Sequence, residues 1–414
     1  MRERALITAL GTLCLLAACT QSATPSLSPS GQVTARVGSD VEFTANVLEG
    51  ELVWALDGVA VGLPKLGKII GTTNTATYTA PDRVPSPPTV TVSATEADSP
   101  FRSAAAEVSV TAPGTLYILT HDTVHVYNDM DVVDGNVAPD RNFDLQGVAA
   151  NSFFDMALAP ELDMAFISVS SLPPGIFRIS DISGADGPVT ATAFDATGHQ
   201  SPTGMAYDPD RDTLYVLMKS AIITYENAST AQAGKMFDRV ISGSALDSIL
   251  VEDSRLSLDP TADRLFVASR DGQVGVFDNA STRVGGAPPD RHILVDHPLT
   301  VVWGAAHDPV RDELYIADMV DGVNILVIAG VSTADGTVAP ARTIGGPSNP
   351  LKNPSQLAYD PTNDRLVAFD FDQDDVKVYD AASTLNGDVQ PSRVIGGTMM
   401  NMNYGYGAYL DPTQ

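Results

Sequence analysis

The chain has 414 residues, of which 24 are Lys or Arg and 51 are Asp or Glu, for a formal net charge of −27. That surplus excludes nucleic acid or an anionic lipid surface as the main partner, because a phosphate-rich surface repels an acidic one. The length has room for two or three domains, one of which can be a large all-β domain.

Arg2 and Arg4 precede a short apolar run, Ala5 to Ala18, with the grammar of an export signal. Crossing a hydrocarbon core of ~30 Å takes roughly 20 apolar residues, so this run is too short to span as a stable helix. It ends in Leu16-Ala17-Ala18-Cys19, which resembles the lipobox of bacterial lipoproteins. The resemblance implies that residues 1–18 are removed and that Cys19 is acylated as the first mature residue. Each buried CH₂ of an acyl chain contributes about 0.8 kcal/mol, so two or more chains make a durable membrane anchor. Thr20 stands where many inner-membrane lipoproteins carry aspartate, which favours the outer membrane or cell surface. Cys14 leaves with the signal, and the mature chain then has neither a disulfide nor a cysteine metal site. Residues 19–30, the lipidated cysteine followed by TQSATPSLSPS, read as a flexible tether.

Residues 31–112 contain short alternating segments, among them Val41–Val47, Leu52–Leu56, Thr75–Pro81, Thr89–Ala94 and Ala106–Val110. Strict apolar/polar alternation predicts half-buried strands. Trp54 on a central strand and the Tyr78-Thr79-Ala80-Pro81 segment resemble the bacterial Ig-like repeats of surface proteins. The resemblance implies a β-sandwich serving as a spacer, held together around Trp54 without the paired cysteines of antibody domains.

From Gly114 to residue 414 the chain repeats itself about every 50 residues. Asp-Pro recurs at Asp208, Asp259, Asp308, Asp360 and Asp411, with a degenerate copy at Ala159-Pro160. Ser-Thr follows a strand at Ser229, Ser281, Ser332 and Ser383, and arginine precedes an apolar residue at Arg141, Arg239, Arg291, Arg342 and Arg393. Each unit reads as four strands; in the last full copy these are Ser355–Tyr359, Arg365–Phe369, Val376–Tyr379 and Ser392–Ile395. The first unit lacks its first strand and the chain ends on one, Tyr406–Pro412, so the two ends are expected to complete a single blade. The fold class is therefore all-β: a small Ig-like β-sandwich, then a six-bladed β-propeller. The repeat, for example Asp312-Glu313-Leu314-Tyr315-Ile316-Ala317-Asp318, resembles the NHL and YVTN classes of propeller.

No nucleophile elbow, phosphate loop or Cys-His pair is visible, and His121 and His125 are too far apart on a strand for a shared metal. The recurring arginines and the aspartates Asp163, Asp212, Asp263, Asp312 and Asp364 read as structural parts of the repeat. Positions that break it are the candidates for a binding face formed by loops entering first strands and leaving second ones. These are Asp155, Arg255 and Gln356 before the Asp-Pro turns, with Trp303, Tyr404 and Tyr406 for stacking. Asp122, Asp318 and Asp370 would make one sector acidic, and Lys219 and Arg270 the other basic. Oxygen ligands from Asp318 and Asp370 would suit Ca²⁺.

The function expected is that of an envelope-anchored binding or scaffolding lipoprotein, engaging a protein or glycan through one propeller face. An alternative is a Ca²⁺-dependent hydrolase similar to gluconolactonase-type propellers, whose axial ion is held by Glu and Asn/Asp. Here only Asp155 and Gln356 come close, and no Glu occupies the aligned positions. A structural component of the envelope is the third reading.

Overall fold

A computed structural model describes residues 24–414 except 61–62, 72, 149–152, 170–174, 196–201, 244–253, 270–271, 287, 298–301, 319–324, 349–350 and 399–404. Cys19, Arg270 and Tyr404 therefore lie outside the described residues. The described strands form eight sheets. The chain divides into two compact units, Met1–Pro81 with Pro87–Val110, and Asp82–Ser86 with Thr111–Gln414.

The first unit has two four-stranded sheets. One orders Ser26–Ser28, Asp40–Asn46, Thr75–Thr79 and Lys68–Gly71; the other orders Gln32–Arg36, Ser99–Thr111, Thr89–Glu96 and Leu52–Leu56. Alternation does its expected work: Phe43 and Ala45 are buried on one strand, and Val90, Val92 and Ala94 on another. The sheets meet at Trp54 and Gly71, where an added Cβ on the glycine would lie 2.2 Å from Trp54 Cδ1. Only glycine permits that approach. The segment expected to be a flexible tether carries a strand: Ser26–Ser28 pairs with Thr44–Asn46, and Leu27 is buried. Burying Leu27 is what draws this otherwise low-complexity stretch into the sheet.

The second unit has six sheets on one plan, with strands running outward in chain order in five of them. The inner strands are Phe153–Ala159, Gly204–Asp208, Arg255–Asp259, Val302–Asp308, Pro354–Asp360 and Gly405–Asp411. Each neighbours the next and the last returns to the first, so they ring an axis as in a β-propeller. One sheet is composite: Gly405–Asp411 pairs antiparallel with Thr115–Thr120, placing Asp411 opposite Thr115 and Leu410 opposite Leu116. The core lies between sheets. Leu116, Ile118, Val367, Phe369 and Ile395, for example, pack together across the composite sheet and its neighbour. Second strands such as Leu214-Tyr215-Val216-Leu217 are apolar throughout because a sheet covers each of their faces.

Two landmarks of the repeat turn out to be one interaction. Asp163, Asp212, Asp263, Asp312 and Asp364 all adopt left-handed φ values, between 47° and 55°, at the turn before the second strand. Each carboxylate then caps a serine beyond the third strand. Asp212 accepts the Ser229 amide at 2.8 Å and its hydroxyl at 2.7 Å, and the same pair recurs through Asp364 and Ser383. The repeated arginines clasp adjacent sheets. Arg141 donates to the carbonyls of Ile182 and Ala185, Arg239 to those of Ala280 and Arg283, and Arg342 to those of Ala382 and Leu385. Outer strands also bridge in parallel to a glycine of the next sheet, as at Phe143–Gly187, Ile241–Gly285, Ile344–Gly387 and Ile395–Gly135. These bridges cover edges that would otherwise offer free backbone groups.

Asp82–Ser86 belongs with the second unit, although the sequence places it inside the Ig-like module. Arg211 joins Asp208 of its own sheet (3.0 Å) to Asp263 of the next (3.7 Å), and Arg311 joins Asp308 to Asp364 at the same distances. In the composite sheet, the residue at that spacing from Asp411 is Gln414, which carries no charge. Arg83 takes the place, bonding Asp411 at 2.8 Å and Asp163 at 2.7 Å.

Candidate functional site

At the mouth of the axis, the residue four places before each turn aspartate (Ala159 in the degenerate copy) alternates around the ring: Asp155, Gly204, Arg255, Gly304, Gln356, Gly407. The glycines let neighbouring strands close in. A Cβ on Gly304 would lie 3.0 Å from the Leu357 nitrogen, and one on Gly204 would lie 3.3 Å from that of Leu256. Asp155, expected on an open face, is 4% exposed. Its Oδ2 accepts the Met205 amide and its Oδ1 the Tyr409 hydroxyl, while Tyr409 Oη accepts the Met156 amide at 3.2 Å. One carboxylate thus ties three inner strands. Burial raises its pKa to about 6 despite Arg255 nearby and the donated hydrogen bonds. Arg255 itself donates to the Thr203 carbonyl at 2.6 Å. Gln356 is half-buried and lines an axial hollow of about 190 Å³ with Ala157, Ala206, Ala358 and Tyr409. This axis is chiefly a joint between strands.

The acidic sector is not the open rim anticipated. Asp318 and Asp370 are fully buried. Asp370 accepts the amides of Lys352 (2.7 Å) and Asn353 (3.1 Å) and faces the buried Lys377 ammonium at 3.4 Å. Lys377 also bonds Asp375 and Gln373. Asp370 is therefore neutralised from within, and burial of an unneutralised carboxylate is what Lys377 averts. Among the described residues, no three metal-ligating side chains converge. Lys219, from the expected basic sector, is exposed.

Tyr406 and Asp122 do come together, through neighbours that the repeat analysis passed over. Tyr406 stacks on Phe154, with ring centroids 5.6 Å apart and planes at 25°, and its hydroxyl bonds His121 Nε2. Burial raises the Tyr406 pKa. The Phe153 amide donates to the His121 carbonyl at 2.9 Å, fixing the two loops together. A hollow of about 400 Å³ is walled by Asp122, Asp144, Gln146, Phe153 and Pro188; its Asp122 and Phe153 are the chain neighbours of His121 and Phe154, which do not themselves line it. His125, which the sequence set apart from His121, pairs with Asn142 instead. Trp303 packs edge-on against Phe371 at 6.2 Å elsewhere in the ring. Asp144 and Gln146 lie on the outer strand Arg141–Leu145 and just beyond it, where repeat alignment looks for structure only. The sequence signals for the site were Asp122 and Tyr406, both expected on the binding face, together with the Phe153-Phe154 pair at the start of an inner strand.

No family model matches the chain, and no curated protein matches it. Solved structures similar to it include a chain of a nidogen/laminin complex, at 15% identity and a TM-score of 0.49, covering 72% of this chain and 97% of that one. At that level of similarity nothing about the complex transfers to this chain.

Proposed function

We propose that the chain is an exported lipoprotein, anchored through Cys19, in which an Ig-like module serves as spacer and a six-bladed NHL/YVTN-type propeller binds a glycan of the cell envelope. The observation that carries the binding reading is the hollow walled by Asp122, Asp144, Gln146 and Phe153, whose chain neighbours His121 and Phe154 hold Tyr406. Carboxylate and amide oxygens accept hydrogen bonds from sugar hydroxyls, and an aromatic face covers the C–H side of a pyranose ring. A volume of about 400 Å³ falls within the usual range for small-molecule sites. The six inner strands and the pairing of Thr115–Thr120 with Gly405–Asp411 support six blades in a closed ring.

Calorimetric titration with cell-wall oligosaccharides tests the site. Binding is expected for the full chain, with Tyr406→Ala and Asp144→Ala each weakening it at least tenfold, about 1.4 kcal/mol. Unchanged affinity in both variants overturns the assignment, as does the absence of any glycan ligand. The anchor is tested separately. Cys19→Ser is expected to abolish incorporation of labelled fatty acid and release the chain from the membrane fraction.

A further inference from the structure

The first unit carries an apolar tip at the end where the anchor enters. Ser26–Ser28 pairs with Thr44–Asn46, so the chain arriving from residue 24 comes in beside Asn46 and Val47. The loop after Asn46 is fastened to the hairpin between Thr89–Glu96 and Ser99–Thr111. Arg102 donates to the Val47 carbonyl at 2.6 Å, the Glu49 amide donates to Glu96 at 3.0 Å, and the Ala97 amide donates to the Glu51 carbonyl at 2.9 Å. At this same end Phe101 is 96% exposed, with Val47 at 41% and Val53 at 44%. A phenylalanine left almost wholly in water on a hairpin forgoes the burial that normally places it in a core.

We infer that this hairpin tip inserts Phe101 into the interfacial layer of the membrane that holds the anchor. The inference rests on the lipidation reading, since it is the acylated Cys19 that brings a bilayer within reach. Residues 19 to 26 extend at most about 25 Å, so the tether is short enough to keep the tip within reach of the lipid surface. Arg102 sits behind Phe101, paired with Glu96 at 3.3 Å, where its long stem can lie along apolar surface with the charge toward the headgroups. Glu49, Glu51 and Asp98 surround the tip and are exposed, which fits a zwitterionic surface rather than an anionic one. A second, weak contact of this kind would hold the module in one orientation on the bilayer without needing affinity of its own, because the lipid anchor supplies the local concentration.

The experiment uses the full lipidated chain in vesicles of phosphatidylcholine and phosphatidylethanolamine. The mature sequence has no cysteine besides Cys19, so Phe101→Cys offers one thiol for an environment-sensitive fluorophore. Ser39→Cys, at the opposite end of the strand Asp40–Asn46, is the control. The expected result is blue-shifted emission at position 101, quenched by spin labels near the headgroups, with position 39 behaving as in water. Equal, water-like emission at both positions while the chain stays with the vesicles overturns the inference and leaves the anchor intact. Loss of the chain from the vesicles, with no acyl group found on Cys19, overturns the inference together with the anchor reading on which it depends.

Discussion

Arg365→Ala is expected to lower the unfolding free energy by about 3 kcal/mol, among the largest effects of any single side chain in the second unit. The guanidinium is almost fully buried and divides its donors three ways. Nε bonds Asp380 at 2.9 Å, Nη2 bonds Asp131 at 2.8 Å and Nη1 bonds the Pro113 carbonyl at 2.6 Å. It therefore fastens the last complete sheet to the stretch of chain that leads into the composite one. Asp131 and Asp380 reach water and can be resolvated after truncation, whereas the Pro113 carbonyl loses a charge-assisted bond and the site loses its packing. Arg365→Lys should restore only part of the loss, because an ammonium cannot reproduce the planar fork. Urea unfolding of the Cys19→Ser chain and its Arg365 variants measures this. A loss below about 1 kcal/mol would mean that strand pairing alone holds the ring closed.

Asp155 should make stability depend on pH in the sense opposite to most carboxylates. Its folded pKa is about 6 against 3.8 ordinarily, so the folded chain binds this proton more tightly than the unfolded chain does. The stability contributed by the protonated group is complete below 3.8 and is lost as pH rises through 6, a fall of about 3 kcal/mol at 1.36 kcal/mol per pH unit. Asp155→Asn keeps an acceptor for the Met205 amide and removes the titration. The difference in unfolding free energy between variant and parent is therefore expected to grow in the variant's favour between pH 4 and pH 7. A flat difference would show that Arg255 and the donated hydrogen bonds offset the burial of the charge.

The repeat was legible because it is made of turn chemistry. Asp-Pro, the left-handed Asp and the Ser-Thr pair are short-range devices, and each leaves a recognisable residue at a recurring place. What the repeat could not convey is which interrupted positions face solvent. Asp318 and Asp370 break the pattern, as binding residues do, yet both are buried; the sign that Asp370 is spoken for was Lys377, a lysine between two valines on the strand Asp375–Asp380. Asp155 was singled out for the right reason, its departure from glycine or an uncharged neighbour, but its role as a tie between strands depends on Tyr409, far away in the chain. Arg83 was missed for the same reason: its partners Asp411 and Asp163 lie hundreds of residues and tens of residues away, and no local pattern links them. Strands such as Ser26–Ser28, with a single buried side chain to justify them, give almost no periodic signal at all.

The pairing of Thr115–Thr120 with Gly405–Asp411 has a consequence for how the protein is made. A chain synthesised from its N-terminus delivers Thr115–Thr120 early and Gly405–Asp411 last. Throughout that interval one long apolar strand has no neighbour on its inner side, and the near-complete ring is a species with a sticky flank. Its escape from self-association is then a race between the arrival of a handful of terminal residues and encounter with another copy. Shortening the chain by the length of its final strand would leave that flank permanently open, and the outcome would be seen in yield and aggregation before it was seen in binding.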